Sequence, residues 1–362
     1  MKTALLHYWL TNMRGGENVL EEFCRIWPDA DIFTHAYAPE RISDIIKFHQ
    51  VRCTFINRLP RAKTDCQKYL PLMPMALKRL DLAAYDLIVS SESGPVKGIR
   101  KPRGSKHICY CHSPMRYLWD MYDDYYRNTG LAGKIAMSLF KQPLRRYDLK
   151  SAETVDHFIA NSHFVAERIK RIYGRSSTVI YPPVNVDFYA SENYVKSDYY
   201  LFVGQLIPYK RPDLAIAACE RMNRKLVIVG DGSMRRELER TAGHNVAFAG
   251  RARNERLREL YAGARALIFP GIEDFGIVPL EAQASGTPVI AMGAGGALET
   301  IVADKTGVFF DQPDVESLCN AIEAFETKEF SADYLTEHAK KFSAERFRAE
   351  INNFLSLGAV KK

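Results

Sequence analysis

Strand-like and helix-like segments alternate along both halves of this 362-residue chain, and no other feature restricts its fold as much. The first half runs TALLHYWL, a glycine-bearing turn, the helical ENVLEEFCRIW, ADIFTHAY, and later YDLIVSS and HICYCH. The second half repeats the habit with YYLFVGQL, RPDLAIAACERM, KLVIVGDG, SMRRELERTA, NVAFAG, ERLRELYAGA, ALIFP, LEAQAS and TPVIAM. Strands separated by helices pair in parallel, because each return to the sheet needs a crossover. The chain is also too long for one ordinary core. The expectation is an α/β protein of two Rossmann-like parallel-sheet domains facing each other across a cleft. YPPVNVDFYASENYVKSDYY, with two prolines and no helical period, puts the linker near residues 182–198. The domains are then 1–184 and 185–342, and SAERFRAEINNFLSLG predicts an amphipathic helix within 343–362 that crosses back to the first domain.

Composition narrows the setting. Seven cysteines, an odd number without framework spacing, suit a reducing compartment. Cys109 and Cys111 alternate with apolar neighbours and read as strand residues, not zinc ligands. MKTALLHYWL reads as a first strand rather than a secretory leader, and no run approaches the roughly 18 apolar residues of a spanning helix. A cytoplasmic protein is expected. Residues 1–184 carry a net charge of +10 and residues 185–362 a net −3, so the first half should meet something anionic. No binding motif or aromatic–basic ribbon supports nucleic acid. Residues 67–80 (QKYLPLMPMALKRL) and 131–150 (LAGKIAMSLFKQPLRRYDLK) mix apolar and basic residues. That composition suits an interfacial helix on an anionic membrane, and a peripheral site on its inner face.

Chemistry concentrates between Pro270 and Gly286, PGIEDFGIVPLEAQASG. A short apolar strand precedes it, Phe275-Gly276 forms a turn, and Pro279 is expected at a first helical position ahead of LEAQA. Strand, loop and helix N-terminus place backbone N–H groups and a positive dipole end at a sheet's carboxyl edge, where α/β folds bind phosphorylated ligands. Glu273 and Glu281 add acceptors for sugar hydroxyls. In the first half, Gly15 and Gly16 follow the first strand and open a helix, a loop suited to an anion, with Arg14 beside it. Ser91 and Lys97 sit past another strand and are expected to face the same cleft. Asp29-Ala-Asp31 has the spacing of a metal-binding D-x-D but reads as a turn; no other acid cluster has metal-ligand spacing, so no metal is expected.

Several of these stretches together resemble the retaining glycosyltransferases of the GT-B fold, family 4. They are VGQLIPYKRPDLAI, VIVGDGSMRREL, VAFAGRARNERLRELYAGA and EDFGIVPLEAQASGTPVIAMGAGGALE in the second half, and RGGENVLEEF, CHSPMRYLWDMY and ANSHFVAERIKRIYG in the first. CHSPMRYLWD in particular resembles bacterial mannosyltransferases of surface-polysaccharide synthesis. The resemblance implies that Lys210 neutralises the donor diphosphate, with metal-independent catalysis and no cofactor beyond the nucleotide-sugar substrate. It implies that Glu281 accepts from the ribose hydroxyls and that Glu273 holds the donor sugar with the backbone of Phe275, Gly276 and Ile277. Gly230 lies where backbone approaches the donor, and Gly250 and Arg251 lie near the base. His112 is implied as the residue contacting the donor sugar near its reacting carbon, and Arg116 as part of the acceptor wall. Gln205 departs from the pattern, since arginine is common there, and Arg211 is a candidate substitute cation. The reaction expected is hexose transfer, mannose from GDP-mannose, to a lipid-diphosphate-linked or oligosaccharide acceptor. A UDP-sugar donor, or a sugar-nucleotide-binding protein with reduced catalysis, are the alternatives.

Overall fold

The computed structural model describes residues 1–190 and 196–359; the middle of the expected linker, residues 191–195, and the last three positions lie outside the described residues. The chain divides into two units, Met1–Pro183 with Phe347–Lys362, and Val184–Arg346.

The first unit holds a seven-stranded, wholly parallel sheet in the order β3-β2-β1-β4-β5-β6-β7. Its strands are β1 (Thr3–His7), β2 (Asp31–Thr34), β3 (Val51–Cys53), β4 (Leu87–Glu92), β5 (Lys106–Cys111), β6 (His157–Ala160) and β7 (Ser177–Val179). Side chains alternate across the pleat. Leu5, Val89 and Ile108 pack on one face with Val19, Leu20 and Phe23 of the helix Gly15–Ile26. Leu6, Phe33 and Ile88 pack on the other with Leu77 and Val96. Both faces being covered, β1 and β4 are buried along their whole length. Phe347 and Ile351 of the terminal helix Ala344–Phe354 complete the first of these clusters, and Arg348 pairs there with Glu22.

The second unit holds a six-stranded parallel sheet in the order β10-β9-β8-β11-β12-β13. Its strands are β8 (Tyr200–Val203), β9 (Leu226–Val229), β10 (Val246–Gly250), β11 (Leu267–Phe269), β12 (Val289–Met292) and β13 (Gly307–Phe310). The helices Pro212–Arg221 and Val315–Glu326 bury Leu214, Cys219, Leu318 and Ile322 against Phe202, Ile228 and Ile290.

In each sheet the strand order reverses beside its first strand, between β1 and β4 and between β8 and β11. At such a reversal the following loops diverge and leave a crevice at the carboxyl edge. The sequence does not single out strands β3, β6, β7 and β13, of three or four residues each. All seven cysteines are free and none is exposed.

The two amphipathic segments of the first unit fare differently. Residues 67–80 form a 3₁₀ run and the short helix Met73–Leu77, which buries Met73, Ala76 and Leu77 and leaves Leu72 and Met75 exposed. The helix Leu131–Glu153 leaves Leu131, Ile135 and Leu139 exposed at 77, 61 and 66 %.

Candidate active site

The reversal between β8 and β11 brings together residues far apart in sequence. After β8 the chain makes a 3₁₀ turn over Pro208–Lys210; after β11 it runs through Gly271 to Glu273. A Cβ at Gly271 would sit 2.8 Å from the Lys210 Cα, so only glycine lets these two loops lie side by side. Lys210 Nζ thus reaches Glu273 Oε1 at 2.6 Å, with the two side chains 15 and 20 % exposed. Gly276, at φ +104°, turns the chain into the helix Ile277–Ala284, and no side chain caps that helix. Its first N–H groups are therefore available to an anion.

The helix begins at Ile277, so Pro279 is its third residue rather than its first. The missing N–H costs nothing there, because the first four have no intrahelical acceptor. Glu281 lies one turn in. Its Oε2 accepts from the Tyr261 hydroxyl at 2.9 Å, and Tyr189 donates to the same carboxylate. Burial raises the Glu281 pKa, against the pull of both phenols and the Lys210 charge. Sequence reasoning missed both tyrosines, which lie 20 and 92 positions away and carry no motif.

Other residues of this unit take lesser places. Phe275 is buried, its ring 5.8 Å from that of Phe342. Gln205 is exposed beside the β8 loop. The Arg211 guanidinium is turned to other partners: its Nε lies 3.0 Å from Asp213 Oδ2, and its Nη1 donates to the Pro313 carbonyl at 3.1 Å. The Gly230 N–H donates to the Gly250 carbonyl at 2.7 Å, joining the ends of β9 and β10. Arg251 is exposed and 3.3 Å from Asp231.

In the first unit, β1, β4 and β5 end together. The register pairs His7 with Ser91, and His112 directly follows β5, its N–H donating to the Glu92 carbonyl at 2.8 Å. A buried line of side chains results. Ser91 Oγ lies 2.8 Å from His112 Nε2 and 3.1 Å from His7 Nδ1; His7 Nε2 lies 3.4 Å from Glu17 Oε1. Glu17 is the third residue of the helix that Gly15 and Gly16 open, and its other oxygen accepts the Arg14 N–H at 3.1 Å. Burial, with His7 and Arg116 adding to it, pushes the His112 pKa down to about 3, so its imidazole is neutral near pH 7.

Lys97 is elsewhere than expected. It is 1 % exposed, its Nζ contacting Glu92 Oε1 at 2.5 Å and Asp148 Oδ1. Burial works against its charge, but Asp148 and Glu92 outweigh it and hold the Lys97 pKa well above the ordinary range. It is a cation of the domain interior, not of a ligand loop. The loop after His112 is tied down likewise: Trp119 Nε1 donates to Asp148 Oδ2 at 2.7 Å, and Asp120 pairs with Arg168 and Arg171.

Comparison with known proteins matches residues 13–188 to the family described as Glycosyltransferase Family 4 and residues 186–342 to Glycosyl transferases group 1. The chain is built of these two glycosyltransferase domains, which together span residues 13–342. An uncharacterized glycosyltransferase of Methanocaldococcus jannaschii is 34 % identical over 157 residues, 41 % of this chain and 40 % of that protein. A GDP-mannose-dependent alpha-(1-6)-phosphatidylinositol monomannoside mannosyltransferase of Mycolicibacterium smegmatis is 33 % identical over 138 residues, 33 % of this chain and 36 % of that one. The chain matches from 29 to 62 % of the length of such curated relatives. Anabaena HepE, solved with UDP and glucose, superposes with a TM-score of 0.72 at 17 % identity, over 98 % of this glycosyltransferase and 100 % of HepE. The GT-B fold of two Rossmann-like domains is thereby shown.

Proposed function

We propose that the protein is a retaining, metal-independent glycosyltransferase that moves mannose from GDP-mannose to a lipid-diphosphate-linked glycan at the inner face of the cell membrane. The observation that carries this reading is the Lys210–Glu273 pair beside the uncapped start of the helix Ile277–Ala284. A diphosphate leaving group gains charge as the glycosidic bond breaks. An ammonium and backbone N–H groups held at that point stabilise it without reorganising. Glu273 then takes the donor sugar's hydroxyls and Glu281, steadied by its tyrosines, the ribose. The GDP-mannose-dependent relative supports the choice of donor. GDP at a hundred times its dissociation constant is expected to stabilise the protein by about 2.7 kcal/mol, read as a shift in thermal midpoint. A shift with UDP and none with GDP would replace the donor by a UDP-sugar.

The acceptor side rests on the helix Leu131–Glu153. Leu131, Ile135 and Leu139 recur every four residues and so form one exposed stripe. Lys134 and Lys141 flank it, held over the rings of Tyr126 and Tyr122. An apolar stripe with basic neighbours fits an anionic bilayer surface. Ile135→Glu with Leu139→Glu is expected to lower sedimentation with anionic vesicles at least tenfold while leaving the GDP-induced thermal shift in place. Equal binding of the parent protein to neutral and anionic vesicles would remove the membrane surface from the proposal.

A further inference from the structure

The line from Glu17 to His112 crosses three strand ends and a helix start, and every member but one is almost inaccessible: His7 and Ser91 are 0 % exposed and Glu17 2 %. Its protons can be placed by elimination. Glu17 uses one oxygen for the Arg14 N–H, a donor whose direction is fixed by the backbone. A carboxylate offers only lone pairs, so its other oxygen accepts from His7 Nε2. In its neutral form His7 carries one N–H, so its Nδ1 is then an acceptor and the Ser91 hydroxyl supplies the hydrogen. With its hydrogen spent, Ser91 Oγ accepts from His112 Nε2. The N–H of His112 is then on Nε2, and Nδ1 is left with the lone pair.

We propose that, with His7 neutral, Glu17, His7 and Ser91 are positioning residues that fix His112 in the tautomer with hydrogen on Nε2, presenting Nδ1 as a hydrogen-bond acceptor for a sugar hydroxyl. The hydroxyl's role rests on the glycosyltransferase reading above; the tautomer does not. The groups facing His112 are Ser91, His7, Arg116 and the Tyr110 ring at 5.2 Å, while those facing His7 are Glu17, Ser91 and the Tyr8 ring at 4.1 Å. Arg116 and the rings offer no acceptor that would compete for the His112 N–H through lone pairs. Among the described contacts, Ser91 alone is within hydrogen-bond distance of a His112 ring nitrogen.

The line can be reversed from its far end. In Glu17→Gln the side chain has one acceptor and one donor. The Arg14 N–H takes the acceptor, so the amide NH₂ turns to His7 Nε2. His7 must then carry hydrogen on Nδ1 and donate to Ser91, and Ser91 donates to His112 Nε2. His112 is left with hydrogen on Nδ1, although residue 17 does not touch it.

The test is ¹⁵N–¹H correlation on histidine-labelled, full-length protein without ligand, with the His112 signals assigned by their loss in His112→Asn. The parent is expected to show a protonated Nε2 and an unprotonated Nδ1, and Glu17→Gln the reverse. In a Ser91→Ala background, Glu17→Gln should leave His112 unchanged, because the middle member is gone. An Nδ1-protonated parent, or a His112 tautomer indifferent to Glu17→Gln, overturns the assignment whatever the enzyme does. For the reaction, Glu17→Gln is expected to lower kcat about tenfold to a hundredfold with the donor KM little changed, and Glu17→Asp to restore part of it. A reversed tautomer with unchanged kcat would retain the positioning chain and reject the role of Nδ1 in turnover.

Discussion

Lys210→Ala is expected to lower donor turnover by about 10²–10³-fold, or roughly 3–4 kcal/mol of transition-state stabilisation, with the thermal midpoint nearly unchanged. Two observations argue that no neighbour makes up the loss. Gln205 brings no charge, and the Arg211 guanidinium is engaged by Asp213 and the Pro313 carbonyl. Lys210→Arg should recover part of the rate, since a guanidinium keeps the charge but not the compact ammonium geometry that meets Glu273 at 2.6 Å. Single-turnover rates with saturating donor separate this from a binding defect. Unchanged turnover in Lys210→Ala would move the leaving-group site away from the β8 loop.

Lys97→Met is expected to destabilise the first unit by about 3–5 kcal/mol, seen as a lower denaturation midpoint. Its removal leaves Glu92 and Asp148 buried together without their shared cation. Tyr173 and Trp119 still donate to Asp148, but a hydrogen bond does not replace a unit charge in the interior. Burial and the neighbouring Asp148 charge already raise the Glu92 pKa with Lys97 present. The triple change Lys97→Met, Glu92→Gln, Asp148→Asn should regain most of the loss, because it removes the uncompensated charge rather than restoring the pair. A triple variant no more stable than Lys97→Met would show that the lysine stem, not its charge, sustains the packing.

What the sequence revealed of the site follows its range in the chain. Glu273, Gly276 and Glu281 lie within one strand–loop–helix unit, so their spacing alone puts them at one sheet edge. Lys210 was legible only through the resemblance carried by VGQLIPYKRPDLAI; the structure then places it in the loop after β8, the strand beside β11. His112 was legible through the resemblance of CHSPMRYLWD, at the end of the apolar stretch HICYCH. His7 ends one too, but it is separated from Ser91 by 84 positions, and nothing in HYWL marks it as a partner. Glu17 had a fainter signal: an acid at the third position of a helix opened by Gly15 can cap the preceding N–H, as it does for Arg14. Lys97 was misread for the complementary reason. Its two carboxylates lie 5 and 51 positions away, and one of them, on the long helix Leu131–Glu153, sits in a stretch whose composition pointed to a membrane.

The terminal helix bears on how the chain is made. Phe347 and Ile351 belong to the core of the first unit, yet they are synthesised after all of residues 184–346. At roughly 5–20 residues per second, the first unit waits on the order of ten seconds or more at the ribosome with that part of its hydrophobic surface uncovered. The second unit, whose sheet and covering helices are contiguous in the chain, can finish within that interval. Order of synthesis and order of completion are therefore opposite, and the early half is the one that needs shielding from aggregation while translation proceeds.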